Sequence, residues 1–325
     1  TKSMNLDLLI ENVTNPALLF FLLGIIAVYL KSDLEIPNNT SKFISLYLLF
    51  SIGFKGGQEL AHSEINIDIF WSIVFGMAVS VLIPLYTFFI LKKKFSIDNS
   101  GAIAAAYGSV SAVTFVTAIS FLEMQGHSFS GHMVAVMALM EAPAIIVGVI
   151  LIRMYSKKSA TEQPSKLSEV IKHSFTNGSV LLIIGSLIIG LLASDKAALG
   201  IKPFTTDIFK GFLAIFLLDM GIVSGRKLGD FFKSGWFSFF FAIIIPLING
   251  CIVAYLSQYV TTDIGNRFIF AVLASSASYI AVPAAMKIAV PKANPGIFLP
   301  MALAVTFPFN ITFGMPIYLS IVLAG

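Results

Sequence analysis

Between Gly101 and Glu123 the chain reads GAIAAAYGSVSAVTFVTAISFLE, apolar enough to lie in a bilayer, yet Gly108, Ser109, Ser111 and Thr114 interrupt its middle. Ala271–Ile288, AVLASSASYIAVPAAMKI, repeats the pattern with Ser275, Ser276, Ser278 and Pro283. A membrane helix gains nothing from a cluster of hydroxyls and a proline unless they line something. Non-helical backbone at membrane depth is tolerated only where protein buries it or where it borders a water-filled cavity. The rest of the chain is therefore read as what holds these two stretches face to face.

Composition fixes the solvent. Of the 325 residues, 57% are hydrophobic and only 12% charged, about half the charge of a soluble domain. The chain is read as an integral membrane protein in a lipid bilayer. Its formal charge of +4 reflects topology and gives no reason to expect nucleic acid. The lone cysteine, Cys251, excludes an internal disulfide and reads as a small core residue. No cleavable signal peptide is expected, since Met4 is followed by acids and not by a basic segment.

Crossing a bilayer takes roughly 20 apolar residues, and ten spans are placed on that basis. They are about Ala17–Leu30 (entered at Asn15-Pro16), Ser41–Lys55, Ile67–Leu91, Gly101–Leu122, Met133–Met154, Ser179–Ala193, Phe204–Val223, Trp236–Tyr259, Phe268–Ile288 and Gly296–Leu323. The polar segment Ser156–Phe175 is the natural midpoint. Basic residues test the count. With the N-terminus outside, the inner segments carry Lys31, Lys42, Lys92–Lys94, Arg153, Lys157, Lys158, Lys166, Lys172, Arg226, Lys227, Lys233, Lys287 and Lys292. The outer ones hold only Lys2, Lys196, Lys202 and Arg267, with Glu59, Glu64, Asp68, Glu123 and Asp263. This obeys the positive-inside rule and implies an even number of spans with both termini outside a plasma or cell inner membrane.

The halves echo each other. Gly53, Gly57 and Leu60 in the second span recur as Gly221, Gly225 and Leu228 in the seventh, and the same offset carries Ala106–Ser111 onto Ala274–Tyr279. Five spans is an odd number, so the second half inserts upside down, the inverted-repeat plan of secondary transporters. The expected fold is an all-α polytopic membrane protein of ten transmembrane helices as two inverted repeats of five, residues 1–155 and 177–325. A cytoplasmic linker, 156–176, joins them, and broken helices 4 and 9 cross at mid-membrane.

Breaking a helix in the membrane frees N–H groups at the start of the next half-helix, where the positive end of its dipole lies. Such ends accept an anion without lysine or arginine. The hydroxyls of Ser109, Ser111, Thr114, Ser275, Ser276 and Ser278 add donors and acceptors suited to a small oxyanion. Bonding back to their own helices is the competing role. An intramembrane carboxylate is costly and defaults to a functional role. Glu141, beside Pro143, is a candidate hard-oxygen ligand for sodium, or a proton carrier. Asn310 lies in the corresponding region of the last span. Asp219 reads as structural, beside Arg226 and Lys227, and Lys55 and Lys210 as snorkelling cations. His62, His127, His132 and His173 fall near loops with no metal-site spacing, so no metal other than sodium and no organic cofactor is expected.

At IGFKGG (Ile52–Gly57), YGSVSAVT (Tyr107–Thr114), MEAPA (Met140–Ala144), LASSASYIAVP (Leu273–Pro283) and IAVPKANPG (Ile288–Gly296) the chain resembles the sodium-dependent bicarbonate transporters (SbtA-like permeases), as a divergent bacterial homologue. The resemblance implies ten spans, with a core domain of spans 3–5 and 8–10 moving against a gate domain of spans 1–2 and 6–7. It also implies a homotrimer and sodium-coupled symport of bicarbonate held between the broken helices. Carried onto this chain, the substrate-binding candidates are Gly108, Ser109, Ser111, Thr114, Ser275, Ser276 and Ser278. Those for sodium are Glu141, where the family carries an aspartate, with Asn310 and Thr114. Tyr279 stands where the family pattern has an acid, and Ala281-Val282 replace Ser-Gly. A PII-like regulatory protein binds the inner face in that family, but the linker between the halves is short here. The rival readings are a sodium/proton antiporter or sodium-coupled organic-anion transporter of the same architecture, and a non-transporting membrane sensor. An enzyme has no nucleophile–base pairing to support it.

Overall fold

The computed structural model describes residues 14–62, 67–156, 167–231 and 235–325. Lys2, Glu64, Lys157, Lys158, Lys166 and Lys233, used above to orient the chain, lie outside the described residues. Among the described residues the regular structure is all helical. In chain order the helices are α1 (Pro16–Tyr29), α2 (Asn38–Ala61), α3 (Ile67–Leu91), α4 (Ile97–Gly108), α5 (Ala112–Met124), α6 (His132–Tyr155) and α7 (Leu167–Thr176). They continue with α8 (Gly178–Leu192), α9 (Asp195–Lys202), α10 (Phe209–Phe231), α11 (Trp236–Leu256), α12 (Ile264–Ser275), α13 (Ala281–Ala289) and a final run α14 (Pro295–Ala324).

Every span expected from the sequence coincides with a helix, and each serine cluster with a pair of half-helices. The starts follow from capping chemistry. The Asn15 side chain accepts from the Ala17 amide with Pro16 at the first helical position, and Ser96 and Asp263 cap α4 and α12 in the same way. Two short amphipathic helices, α7 and α9, were not expected. α2 runs further than Ser41–Lys55 because its last turn, polar in sequence, finds polar partners: Gln58 donates to the carbonyls of Gly190 and Ala193 on and after α8. α14 is interrupted by π-helical turns at Met301–Thr306 and Asn310–Gly314, around Pro308, whose missing N–H breaks the regular ladder.

Six runs are long and apolar enough to cross a membrane: Ile67–Leu91, Ile97–Met124, His132–Tyr155, Asp195–Leu228, Trp236–Tyr259 and Pro295–Ala324. α1, α8 and α12 are apolar but shorter. Large apolar side chains such as Leu19, Phe20 and Ile26 on α1, Phe70 and Trp71 on α3, and Phe240 and Ile248 on α11 are exposed. A soluble protein would not leave these contiguous faces bare; a lipid-embedded one does.

Packing divides the helices into two kinds. α1 lies on α10, and α2 on α8, with glycine at each crossing. A Cβ on Gly24 would strike the Leu218 carbonyl and the Ile222 amide, and one on Gly57 the backbone of Leu187 and Leu191. Gly221 and Gly190 are the reciprocal positions. Gly57 and Gly221 thus both sit at backbone crossings, and Gly221 lies one helical turn from Gly225, the residue that the sequence offset pairs with Gly57. Glycines four apart lie on one face of a helix. By contrast α3, α4 and α6 pack on one another, as do α11, α12 and α14.

α4 lies inside this second group. Ala102 through Ala106 are fully shielded, and Gly101 and Gly148 let α4 and α6 approach closely. The run of small residues in GAIAAAYG is what a helix surrounded by other helices requires.

Candidate functional site

The two breaks are cross-bonded. α4 ends at Gly108 and α12 at Ser275; both are 12 residues long. Ser109 and Ser276 occupy the matching next positions, so Ser111 corresponds to Ser278 and not to Tyr279. The Ser278 amide donates to the Ala106 carbonyl at 2.8 Å, a group that α4 can no longer satisfy internally. The Ser111 amide donates to Ser276 Oγ at 3.0 Å, and Ser276 Oγ donates onward to the Leu273 carbonyl at 2.8 Å. Each broken helix therefore supplies partners to the other's freed backbone, which is how irregular chain survives in an apolar interior.

α5 begins at Ser111, whose Oγ accepts from the Thr114 amide at 3.1 Å, an N-cap. α13 begins less firmly: Ile280 offers no side-chain cap, and the Val282 amide reaches Ser278 Oγ only at 3.4 Å. Both half-helix starts border one cavity of about 20 Å³, lined among others by Ser111, Ala112, Glu141, Ser278, Tyr279 and Ala281. Leu49 of α2 with Ser179 and Ile183 of α8 closes its far side. The cavity lies where the α2–α8 pair meets the broken helices. It holds about one water molecule, given the roughly 10–15 Å³ that one needs.

The structure gathers three of the sequence-derived candidates, Ser111, Ser278 and Glu141, at this cavity. The others stand behind it. Gly108 serves close packing, since a Cβ there would collide with Pro84 of α3. Ser109 Oγ donates to the Glu141 carbonyl at 3.4 Å. Ser275 Oγ bonds back to the Val272 carbonyl at 3.0 Å. Thr114 is buried at the α5 cap. Asn310 donates to the Ser275 carbonyl at 2.7 Å and accepts from the Tyr318 hydroxyl at 2.9 Å, so its amide closes the end of α12. Tyr107 joins the same framework: its hydroxyl lies 2.7 Å from Thr306 Oγ1, which donates to the Ala242 carbonyl at 2.7 Å. Tyr279 spans the junction, its hydroxyl 3.9 Å from the Met220 sulfur of α10 and its ring edge-on to Phe307.

Two charged residues behave differently from expectation. Lys55 and Lys210 do not snorkel alone: both pair with Glu123, at 3.7 and 3.3 Å. Asp219 is buried and accepts from Ser41, while Arg226 pairs with Glu35 at 3.4 Å. His132 is buried, 3.3 Å from Ser72 Oγ. His62, just past α2, is held above its ordinary pKa by the Gln58 carbonyl and Asp195. Among the described residues no group of three or more His, Cys, Asp or Glu is placed to hold a metal ion. Ser179 and Met137, which also line the cavity, carried no signal in the sequence.

Broken helices crossing inside an apolar helical bundle, with a small cavity at their new N-termini, define a multi-pass membrane transport protein. A family model for the Na+-dependent bicarbonate transporter superfamily matches residues 16–323, nearly the whole chain, and the protein belongs to that superfamily. No curated protein matches it.

Proposed function

We propose that the protein is a secondary active transporter that carries bicarbonate or a similar small anion together with sodium by alternating access. The observation that carries this reading is the cavity shared by the starts of α5 and α13 with the Glu141 carboxylate. Two helix N-termini favour an anion. A carboxylate beside them with no lysine or arginine in the lining favours a cation. Together they make a site for a neutralised pair.

Ser111 and Ser278 are assigned to the anion, within the frame of Gly108, Ser109, Thr114, Ser275 and Ser276. Glu141 is assigned to sodium, with Thr114 and Asn310 as its more distant candidates. At about 20 Å³ the cavity is too small for the anion, so loading requires the α2–α8 side to draw back. That side belongs to the proposed gate, made of α1, α2, α8 and α10; α3–α6 and α11–α14 form the core. The crossings of α1 with α10 and of α2 with α8 exchange places when the halves are swapped, which supports two inverted repeats of five spans. Both termini are placed outside the cell membrane, as the basic residues argue. Family membership further suggests a homotrimer, and a PII-like protein on the inner face is the partner to test.

The deciding experiment is uptake of labelled bicarbonate into proteoliposomes with and without an inward sodium gradient. Sodium-dependent uptake supports the reading; no uptake by folded protein overturns it. A second reading, cation/proton exchange, is favoured by the lone carboxylate of Glu141 in the cavity. Proton flux independent of any anion supports that reading instead.

A further inference from the structure

Away from the central cavity, three helices meet on one carboxylate. Glu123, in the last turn of α5, has Oε1 3.7 Å from Lys55 Nζ of α2 and Oε2 3.3 Å from Lys210 Nζ of α10. Each oxygen thus has its own ammonium group. A cavity of about 80 Å³ lies beside them, bordered by Lys55, Glu59, Glu123, His127 and Phe209 among others. A wider one of about 320 Å³ shares Lys55 and Glu59 and extends to Lys202 and Asp195.

We propose that this is a reception site for the transported anion, where a small planar oxyanion takes the place of Glu123 between Lys55 and Lys210. The inference rests on the anion-transport reading above and adds a second site to it.

Bicarbonate, formate and acetate present the same O–C–O edge as a glutamate side chain, so the exchange conserves the charge contacts. The acids Glu123 and Glu59 balance the lysines, so a free anion is held only when Glu123 leaves. Leaving is easy, because the Lys55 and Glu123 side chains are each 39% exposed and Lys210 is 64% exposed, and ion pairs so open to water contribute little. The consequence reaches the centre. Lys55 and Lys210 stand on α2 and α10, whereas Glu123 ends the half-helix whose other end, at Ser111–Ala112, borders the central cavity. An anion that displaces Glu123 therefore removes the ion pairs that join this end of α5 to α2 and α10.

The test is the KM for labelled bicarbonate at saturating sodium, in full-length protein in proteoliposomes. Lys210→Gln is expected to raise KM about tenfold with little change in maximal rate. Glu123→Gln is expected to lower KM, because the lysines lose their resident competitor. A static ion pair predicts the same direction for both variants or no change in either, and that result overturns the proposal. A second measurement does not need transport. In a Cys251→Ala background, the alkylation of Phe209→Cys by N-ethylmaleimide is expected to slow in sodium bicarbonate or formate relative to sodium chloride of equal ionic strength. The protection is expected to vanish when Lys210→Gln is added. Protection by formate in a protein that carries no bicarbonate would refute the substrate and keep the site. Bicarbonate transport without protection, and with KM unmoved, would refute the site alone.

Discussion

The two breaks are built from the same residues to different tolerances. The first spans only Ser109–Ser111, is capped by Ser111, and presses Gly108 against Pro84. The second runs from Ser276 to Ile280, has no side-chain cap, and leaves Ile280 exposed. One is a rigid seat; the other is a longer, more loosely bonded strap. A substrate contact placed on the first is preorganised, while one on the second can adapt, and Tyr279 sits on the second. Two breaks so alike in sequence need not form two equal half-sites.

The contrast can be broken most severely at Gly108. Gly108→Ser would copy the second break's Ser275 onto the first, but the new Cβ has no room beside Pro84. We expect a loss of about 3 kcal/mol, at the upper end for overpacking, read as a drop in the thermal unfolding midpoint in detergent. Ser276→Ala comes next. It strands the buried Ser111 amide, whose partner is Ser276 Oγ, at a cost of about 1–3 kcal/mol. Comparing Ser111→Ala with Ser278→Ala sharpens the difference between the starts of α5 and α13. The first loses an N-cap worth about 1 kcal/mol. The second loses only a bond of 3.4 Å, so its unfolding midpoint should barely move. Any large fall in uptake by Ser278→Ala therefore reports a substrate contact. The smallest stability effect is expected from Tyr279→Phe, whose hydroxyl faces the Ser111 side chain and lies 3.9 Å from the Met220 sulfur. Competition of a panel of carboxylates against bicarbonate uptake should shift in that variant while the midpoint stays put.

Much of this was legible in the chain. The apolar runs were long enough, and their hydroxyl interruptions odd enough, to place both breaks to within a few residues. Glu141 stood out because a carboxylate in an apolar span has a cost. What could not be read is what distance in sequence conceals. Lys55, Glu123 and Lys210 lie on three separate elements, so each looked like a lone interfacial charge until the fold brought them together. Asn310 is a candidate by its place in the last span, and the fold adds what that place does not tell: its amide also meets the Ser275 carbonyl and the Tyr318 hydroxyl. A register read from glycine spacing alone is blurred by helical geometry, since a slip of one turn leaves the same residues on the same face.

The glycine crossings have a mechanical meaning. Where Gly24 lies on Gly221 and Gly57 on Gly190, the backbones touch with no layer of side chains between them. Sliding of packed helices relies on such a layer to re-seat as it moves. On the proposed gate-and-core reading, α1 with α10 and α2 with α8 would then each move as a two-ply plank, whole or not at all. Slip is then confined to faces where side chains do intervene. At one of these, thioether and aromatic groups meet: Met220, Tyr279 and Phe307. On that reading the soft seam, and not any of the glycine joints, is where a small change of side chain would tell on the movement.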